Sequence, residues 1–334
     1  MNIVEISFII PVYNRPNEIK ELLHSFVGLD TENKFEIVII EDGSSLKCDK
    51  IITSFSKVLN ISYYFKNNSG PGDSRNYGMR KAKGNYFIIL DSDCILPKNY
   101  MSNLFNNLKF NYSDCFGGVD DAKSSFSNFQ KAVSFSMTSF VTTGHLRGGK
   151  KYKKFEPRSF NMGISKKAFL ESGGFGKLHP GEDPDLSIRL NLLGFTTKLY
   201  SDVVVFHKRR ITITSFFRQV YKFGVARIIL NKRYKNTQKL IYWFPSIFCI
   251  GLVFSIILSI FNVTDILIII YMFYLFMVFI NSFYRFNLIV GLISIITTII
   301  QFFGYGLGFL KSYLKITLNP NKKVQEIFPK MFFK

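Results

Sequence analysis

The stretch Tyr86-Phe87-Ile88-Ile89-Leu90-Asp91-Ser92-Asp93 is five apolar residues followed by two carboxylates one residue apart. An apolar run of this length, closed by turn-forming residues, reads as a strand buried on both faces of a sheet. Upstream, the same pattern recurs at Ile3–Ile10, Phe35–Ile40 and Ile61–Phe65. Amphipathic segments lie between. Pro16 can start a helix, and Ile19, Leu22, Leu23 and Phe26 then repeat at helical spacing. Ile51, Ile52, Phe55, Val58 and Leu59 mark a second helix, and Ser74 to Ala82 a third. This β-α-β-α-β-α-β order predicts an α/β fold around a doubly wound parallel sheet.

In such sheets ligands bind outside the carboxyl ends of the strands. The unusual residues cluster at those ends: Pro11-Val12-Tyr13-Asn14-Arg15, Glu41-Asp42-Gly43-Ser44, Asn68-Ser69-Gly70 and Asp91-Ser92-Asp93. They are distant in sequence but line one rim. Asp91 and Asp93 suit a hard divalent cation that also bridges phosphate oxygens. Taken alone, two acids at that spacing equally suit a solvated turn. Asp42 can accept the ring N–H of a uracil, or stabilise its own turn. Arg75, after Gly70-Pro71-Gly72 at a helix start, can meet phosphate oxygens or sit in solvent.

Downstream, residues 101–210 are mixed. They hold a polar, basic stretch from Gly144 to Arg158, with Arg147, Lys150, Lys151, Lys153 and Lys154, which reads as a loop that either meets phosphate groups or is simply solvated. After residue 240 three apolar runs follow, Ile241–Phe261, Ile266–Tyr284 and Asn287–Leu310. Each is long enough to cross a bilayer core. A Lys-rich tail comes after them. Three full spans place that tail opposite the α/β half, whereas the positive-inside rule puts both in the cytosol; one re-entrant or interfacial segment would reconcile them.

The chain carries 43 Lys and Arg against 23 Asp and Glu, a net charge of +20. Six of the cations lie between Phe216 and Lys235, where Arg218, Lys222, Arg227, Lys232, Arg233 and Lys235 mix with aromatics. Placed beside the apolar runs, this stretch fits an amphipathic helix on an anionic membrane and excludes nucleic acid as the basic partner. Cys48, Cys94, Cys115 and Cys249 show no metal-ligand spacing and read as buried thiols. Residues 1–13 carry Glu5 and read as a strand rather than a signal peptide, which keeps the N-terminus cytosolic.

Together the motifs Pro11 to Arg15, Glu41 to Ser44, Asn68 to Gly78, Asp91-Ser92-Asp93 and Gly181-Glu182-Asp183 resemble family 2 glycosyltransferases of the GT-A fold, over roughly residues 4–210. The resemblance implies a Rossmann-like, mixed or parallel sheet. It also implies an inverting transferase that uses a nucleotide-sugar donor, commonly a UDP-sugar, with Mg2+ or Mn2+. Carried over residue by residue, it puts Pro11, Tyr13, Arg15, Asp42, Gly70, Arg75, Asp91, Ser92 and Asn161 at the nucleotide-sugar. Asp91, Asp93 and His207 fall at the metal, with Asp93 the more direct ligand. Glu182 and Asp183 form the catalytic pair, with Asp183 the general base. A structural role for His207, and plain strand packing for Asn161, remain alternatives. Gln219-Val220-Tyr221-Lys222-Phe223 departs from the Gln-x-x-Arg-Trp motif of processive synthases at its last two positions, which puts processive polymerisation in doubt. Asp185 and Arg189 are expected to form a local ion pair along one helix.

The expected organisation is a GT-A domain over 1–210, with a nucleotide-binding half to 100 and an acceptor half to 210. Basic interfacial helices follow at 211–240, then a membrane region at 241–310 and a basic tail at 311–334. The expected protein is a multi-pass enzyme of the inner (cytoplasmic) membrane, with a cytosolic site and a lipid-linked or membrane-proximal glycan acceptor. A processive polysaccharide synthase and a non-catalytic scaffold are the alternatives.

Overall fold

Eight strands form one sheet in a computed structural model that describes residues 5–31, 34–144, 155–208 and 212–333. In chain order they are β1 (Ile6–Val12), β2 (Phe35–Asp42), β3 (Ile61–Lys66), β4 (Tyr86–Leu90), β5 (Cys94–Ile95), β6 (Cys115–Asp121), β7 (Asn161–Ser165) and β8 (Thr197–His207). The helices are α1 (Pro16–Val27), α2 (Asp49–Phe55), α3 (Pro71–Lys81), α4 (Tyr100–Phe110), α5 (Asn128–Thr138), α6 (Phe140–Thr143), α7 (Lys166–Ser172), α8 (Glu182–Leu192), α9 (Ile213–Arg233), α10 (Phe244–Ile260), α11 (Ile266–Arg285), α12 (Leu288–Thr317) and α13 (Val324–Ile327). The basic-loop residues Arg147, Lys150, Lys151, Lys153 and Lys154 lie outside the described residues, as do His145 and Lys334.

The sheet order is β3-β2-β1-β4-β7-β6-β8-β5. β1 pairs in parallel with β2 and with β4, and β2 with β3, as the alternation of elements predicts. β7 then runs antiparallel to both β4 and β6, so the sheet is mixed. Pro11 and Val12 belong to β1 itself, in register with Ile40 and Glu41, rather than to the turn beyond it.

The continuous apolar strands follow from having two cores to fill. Phe8, Ile10, Ile39 and Ile88 face one side, packed with Leu22 and Phe26 of α1 and with Tyr100 and Leu104 of α4. Ile9, Val38, Ile40, Phe87 and Ile89 face the other, against Met79 of α3 and Leu186 and Leu190 of α8. Alternate residues of one strand thus serve opposite faces. Gly78 lets α3 sit close on that second face, since an added Cβ would stand 2.7 Å from Ile9 Cγ2.

The chain divides into two compact units: Met1–Lys123 with Lys150–Lys208 and Phe333–Lys334, and Ser124–Gly149 with Arg209–Phe332. The chain's third crossing between the units, after Lys208, lies near the expected boundary at residue 210. The segment holding α5, however, belongs with the helices and not with the α/β unit. The reason is apolar: Val133 and Met137 of α5 are buried with Phe216 and Val220 of α9.

In the helical unit α12 packs against α5, α9, α10 and α11. Small residues permit this. Gly224 of α9 lies so close to α12 that a Cβ would run into the Tyr305 carbonyl oxygen and stand 2.7 Å from the Phe309 nitrogen. Hydroxyl pairs lie in the same helix contacts, Ser136–Thr297 at 2.6 Å and Ser282–Ser294 at 2.7 Å. Leu240–Ile260, Ile266–Arg285 and Leu288–Thr317 are long and apolar enough to cross a membrane. The last continues past the apolar run because Lys311 and Lys315 remain helical.

A branched side chain at the α9–α12 crossing must force two backbones apart, and overpacking of this kind costs about 1–3 kcal/mol. Gly224→Val is therefore expected to lower the melting temperature of the detergent-purified chain. An unchanged melt would contradict the close crossing.

Candidate active site

Because β1 to β4 are parallel, their carboxyl ends share one edge of the sheet. Tyr13, 53% exposed, follows β1. Asp42 ends β2, Gly70 precedes α3, and Asp91-Ser92-Asp93 follows β4. Asn14 ties the first two ends together: its N–H donates to Ser44 Oγ at 2.8 Å, and its side-chain oxygen accepts from the Leu46 N–H at 2.9 Å.

Asp42 closes the next loop. Its carboxylate accepts the N–H groups of Ser69 at 3.0 Å and Gly70 at 2.9 Å, and pairs with Lys66. Asp42 is 3% exposed, so its first role here is to shape the β3–α3 loop.

Beyond this loop lies a chain of ionic contacts. Arg75, on the first turns of α3, donates from Nη2 to Asp91 Oδ1 at 2.8 Å and from Nη1 to Glu182 Oε1 at 3.1 Å. It therefore links the end of β4 to the start of α8. Phe175 supports the guanidinium, its ring centroid 5.3 Å from Cζ. Burial alone would lower the Arg75 pKa, but Asp91, Glu182 and Asp183 outweigh it and hold the group firmly cationic. Glu182 also accepts from the Gly181 N–H at 2.9 Å and meets His179 Nδ1 at 2.9 Å. Burial would raise the Glu182 pKa, but His179 and Arg75 reverse that and pull it down to about 2.

Asp183, the next residue, differs. Its Oδ1 is buried with no hydrogen-bond partner. Burial, reinforced by the charge of Glu182, pushes its pKa up to about 6. Two adjacent carboxyls thus have separated acidities. Glu182 is held ionised by its partners, and Asp183 is left poised to take a proton.

At the other end of the rim Asp93 pairs with Arg15 and lies 3.2 Å from His207 Nε2. Desolvation opposes its charge, but His207 and Arg15 keep its pKa well below the ordinary carboxylate range. The placement follows from strand pairing, because β5 runs antiparallel to β8 with Cys94 opposite His207. His207 Nδ1 lies 3.9 Å from Asp120, and its ring stacks on Phe160 at 5.2 Å. Oxygen, sulfur and nitrogen ligand atoms of Asp93, Cys94 and His207 all lie within 4.8 Å of one another. Carboxylate and imidazole suit Mn2+, while the thiol is a softer donor.

Several expectations change. The group of ligand atoms within 4.8 Å of one another comprises Asp93, Cys94 and His207, while the Asp91 carboxylate pairs with Arg75. Pro11 and Ser92 are buried: Pro11 supports β1 and Ser92 the turn after β4. Asn161 is fully buried inside the sheet. Its oxygen accepts from Tyr100 Oη at 2.8 Å and its nitrogen donates to the Val203 carbonyl at 2.9 Å, so it packs strands rather than facing a donor. Asp185 and Arg189 do pair at 3.1 Å, but Arg189 also binds the carbonyls of Ser172 and Gly174, fixing α8 to the end of α7. From sequence Cys94 reads as a buried thiol, His179 as a loop residue near the Glu-Asp pair, and Asp120 carries no motif. Adjacency to Asp93 and to the Glu-Asp pair was the one signal available for Cys94 and His179.

Residues 7–173 match the family described as Glycosyl transferase family 2. The chain belongs to that family. An uncharacterised glycosyltransferase of Rickettsia conorii is 41% identical over 99 residues, 30% of this chain and 16% of that protein. Poly(ribitol-phosphate) beta-N-acetylglucosaminyltransferase TarS of Staphylococcus aureus is 30% identical over 114 residues, 33% of this chain and 20% of its own length. The aligned part is thus a small fraction of these relatives. Among solved structures, a mannosyltransferase from Pyrobaculum calidifontis superposes with a TM-score of 0.51 at 17% identity, covering 68% of this chain and 64% of its own. This last likeness is one of fold. The family 2 chain has the GT-A arrangement expected for it.

Removing one partner from a buried ion pair costs about 3–5 kcal/mol. Arg75→Met is expected to lower the melting temperature by a corresponding margin, and adding Glu182→Gln to recover part of it. A single variant that melts like the parent would refute the bridging role.

Proposed function

We propose that this chain is an inverting, metal-dependent glycosyltransferase of the cytoplasmic membrane. It would move a sugar from a nucleotide-diphosphate sugar, a UDP-sugar first among them, to a lipid-linked or membrane-proximal glycan acceptor in cell-envelope polysaccharide or glycolipid synthesis. The observation that carries this reading is Asp183, beside a rim of paired charges: its Oδ1 is buried with no hydrogen-bond partner, and its pKa is pushed up to about 6.

Inversion needs one base on the acceptor face. Asp183 takes the acceptor hydroxyl proton as the new oxygen–carbon bond forms at the sugar and the bond to the diphosphate breaks. Glu182, tied to Arg75 and His179, fixes the first turn of α8 and so aims Asp183. Arg75 provides permanent positive charge next to the phosphates. Tyr13, Arg15 and the Asp42–Gly70 loop frame the nucleotide. Asp93 and His207 would hold the metal, which when bound stabilises charge on the leaving diphosphate. The fold neighbour solved with GDP-Man and Mn2+ carries a donor and a metal of these classes. The name of the Staphylococcus aureus relative supports an envelope acceptor. The three apolar helices, and the basic residues of α9 next to them, support membrane anchoring with the α/β unit in the cytosol.

A donor screen tests the reading directly: nucleoside diphosphate release across UDP-, GDP- and TDP-sugars, with membrane extract as acceptor. Release is expected from one class, and none from any class would overturn the proposal. Asp183→Asn should reduce turnover by about 10²–10⁴-fold, the range for loss of general-base catalysis. The same substitution should not reduce stability. The folded state holds the Asp183 proton more tightly than the unfolded chain, so this group's contribution to stability falls as pH rises from about 4 to about 6. At pH 8 Asp183→Asn should melt at or above the parent temperature.

Turnover should also fall on the acid side, with a midpoint near pH 6, as Asp183 takes up its proton. Chelation should abolish release, and added Mn2+ or Mg2+ restore it. Activity that survives chelation would remove the metal role from Asp93 and His207.

A further inference from the structure

The chain re-enters the α/β unit at Phe333. The Phe333 N–H donates to the Lys177 carbonyl at 3.0 Å. Its ring packs on the His179 ring, centroids 5.6 Å apart and planes tilted by 48°. The same ring covers Gly70, where an added Cβ would stand 2.6 Å from Phe333 Cε2. Gly70 has φ +95°, so this position requires glycine both for its backbone and for the space the ring occupies.

The two residues that Phe333 touches belong to opposite sides of the site. Gly70 gives its N–H to Asp42, on the side assigned to the nucleotide. His179 meets Glu182, which binds Arg75 and precedes Asp183. The His179 side chain is 39% exposed and is held by its contact with Glu182 and by the Phe333 ring.

We propose that Phe333 is a positioning residue for the transfer reaction, clamping the Gly70 loop to His179 and thereby holding His179 on Glu182. This rests on the assignment of Asp183 as base. Without the ring, His179 can swing into solvent, Glu182 loses a partner, and the first turn of α8 that carries Asp183 loosens. A misaligned base affects the chemical step more than ground-state binding, so the loss falls on kcat.

Two measurements on the full chain in detergent decide it. The first reads nucleoside diphosphate release from the donor found active. Phe333→Ala is expected to lower kcat about 10-fold with a smaller change in donor KM, and Phe333→Leu or Phe333→Tyr to restore most of it. In a His179→Ala background, Phe333→Ala should add nothing. The second is independent of turnover: modification of His179 by diethyl pyrocarbonate, read by peptide mass. Reaction should be slow in the parent, faster in Phe333→Ala and slow again in Phe333→Tyr.

Equal modification rates, or a Phe333→Ala variant with parental kcat, would overturn the proposal. A rise in turnover would make Phe333 a plug and overturn it too. If the parent releases no nucleoside diphosphate from any donor, the assignment of Asp183 fails, while the His179 reactivity still decides whether the clamp exists.

Discussion

A buried guanidinium between two carboxylates sets the arrangement of everything around it. Arg75 is enclosed by Asp91 at the end of β4 and by Glu182 at the start of α8, two places separated by 91 residues of chain (182 − 91). A buried cation of this kind is tolerated only where anions surround it closely, so the β4 turn and the α8 start must sit together. Glu182 in turn has no oxygen left to act on a substrate. Its neighbour Asp183 keeps one oxygen, Oδ1, without a hydrogen-bond partner, and burial together with the negative charge beside it raises its affinity for a proton. One bridge therefore sets the acidities of two adjacent carboxyls apart.

The second ionic cluster answers a different geometric need. Arg15 after β1, Asp93 after β4 and His207 at the end of β8 converge because β5 pairs back onto β8. That antiparallel pairing also brings in Cys94 and places Asp120 behind the imidazole. The rim thus holds two ionic clusters, one around the Arg75 guanidinium and one around the Asp93 carboxylate. The sheet beneath has side chains buried on both faces.

Much of this was legible beforehand. Four apolar runs gave the four parallel strands, since a strand covered on both faces must be apolar at successive positions. The three uncharged stretches became helices of spanning length. Motifs at strand ends fell on one rim because parallel strands leave their carboxyl ends together. What the sequence hid was partnership. Asp91 and Asp93 look equivalent in Asp91-Ser92-Asp93, yet one pairs with Arg75 and the other with Arg15 and His207. Asn161 has the look of a polar site residue, but β6 and β8 close over its amide. The α5 segment reads as part of the α/β half, although its apolar face is completed by α9.

Local pattern alone determined the class of fold, the strand and helix order, the apolar helices and the presence of acids at the rim. Those features depend on periodicity and on residues near one another in the chain, which a sequence displays. Tertiary structure alone decided which acid pairs with which base, and that Phe333 reaches Gly70 and His179. Such choices arise from contacts across 91 to 263 residues (182 − 91 for the Asp91–Glu182 bridge, 333 − 70 for the Phe333–Gly70 contact). Charge pairing and burial at that range leave no periodic trace along the chain.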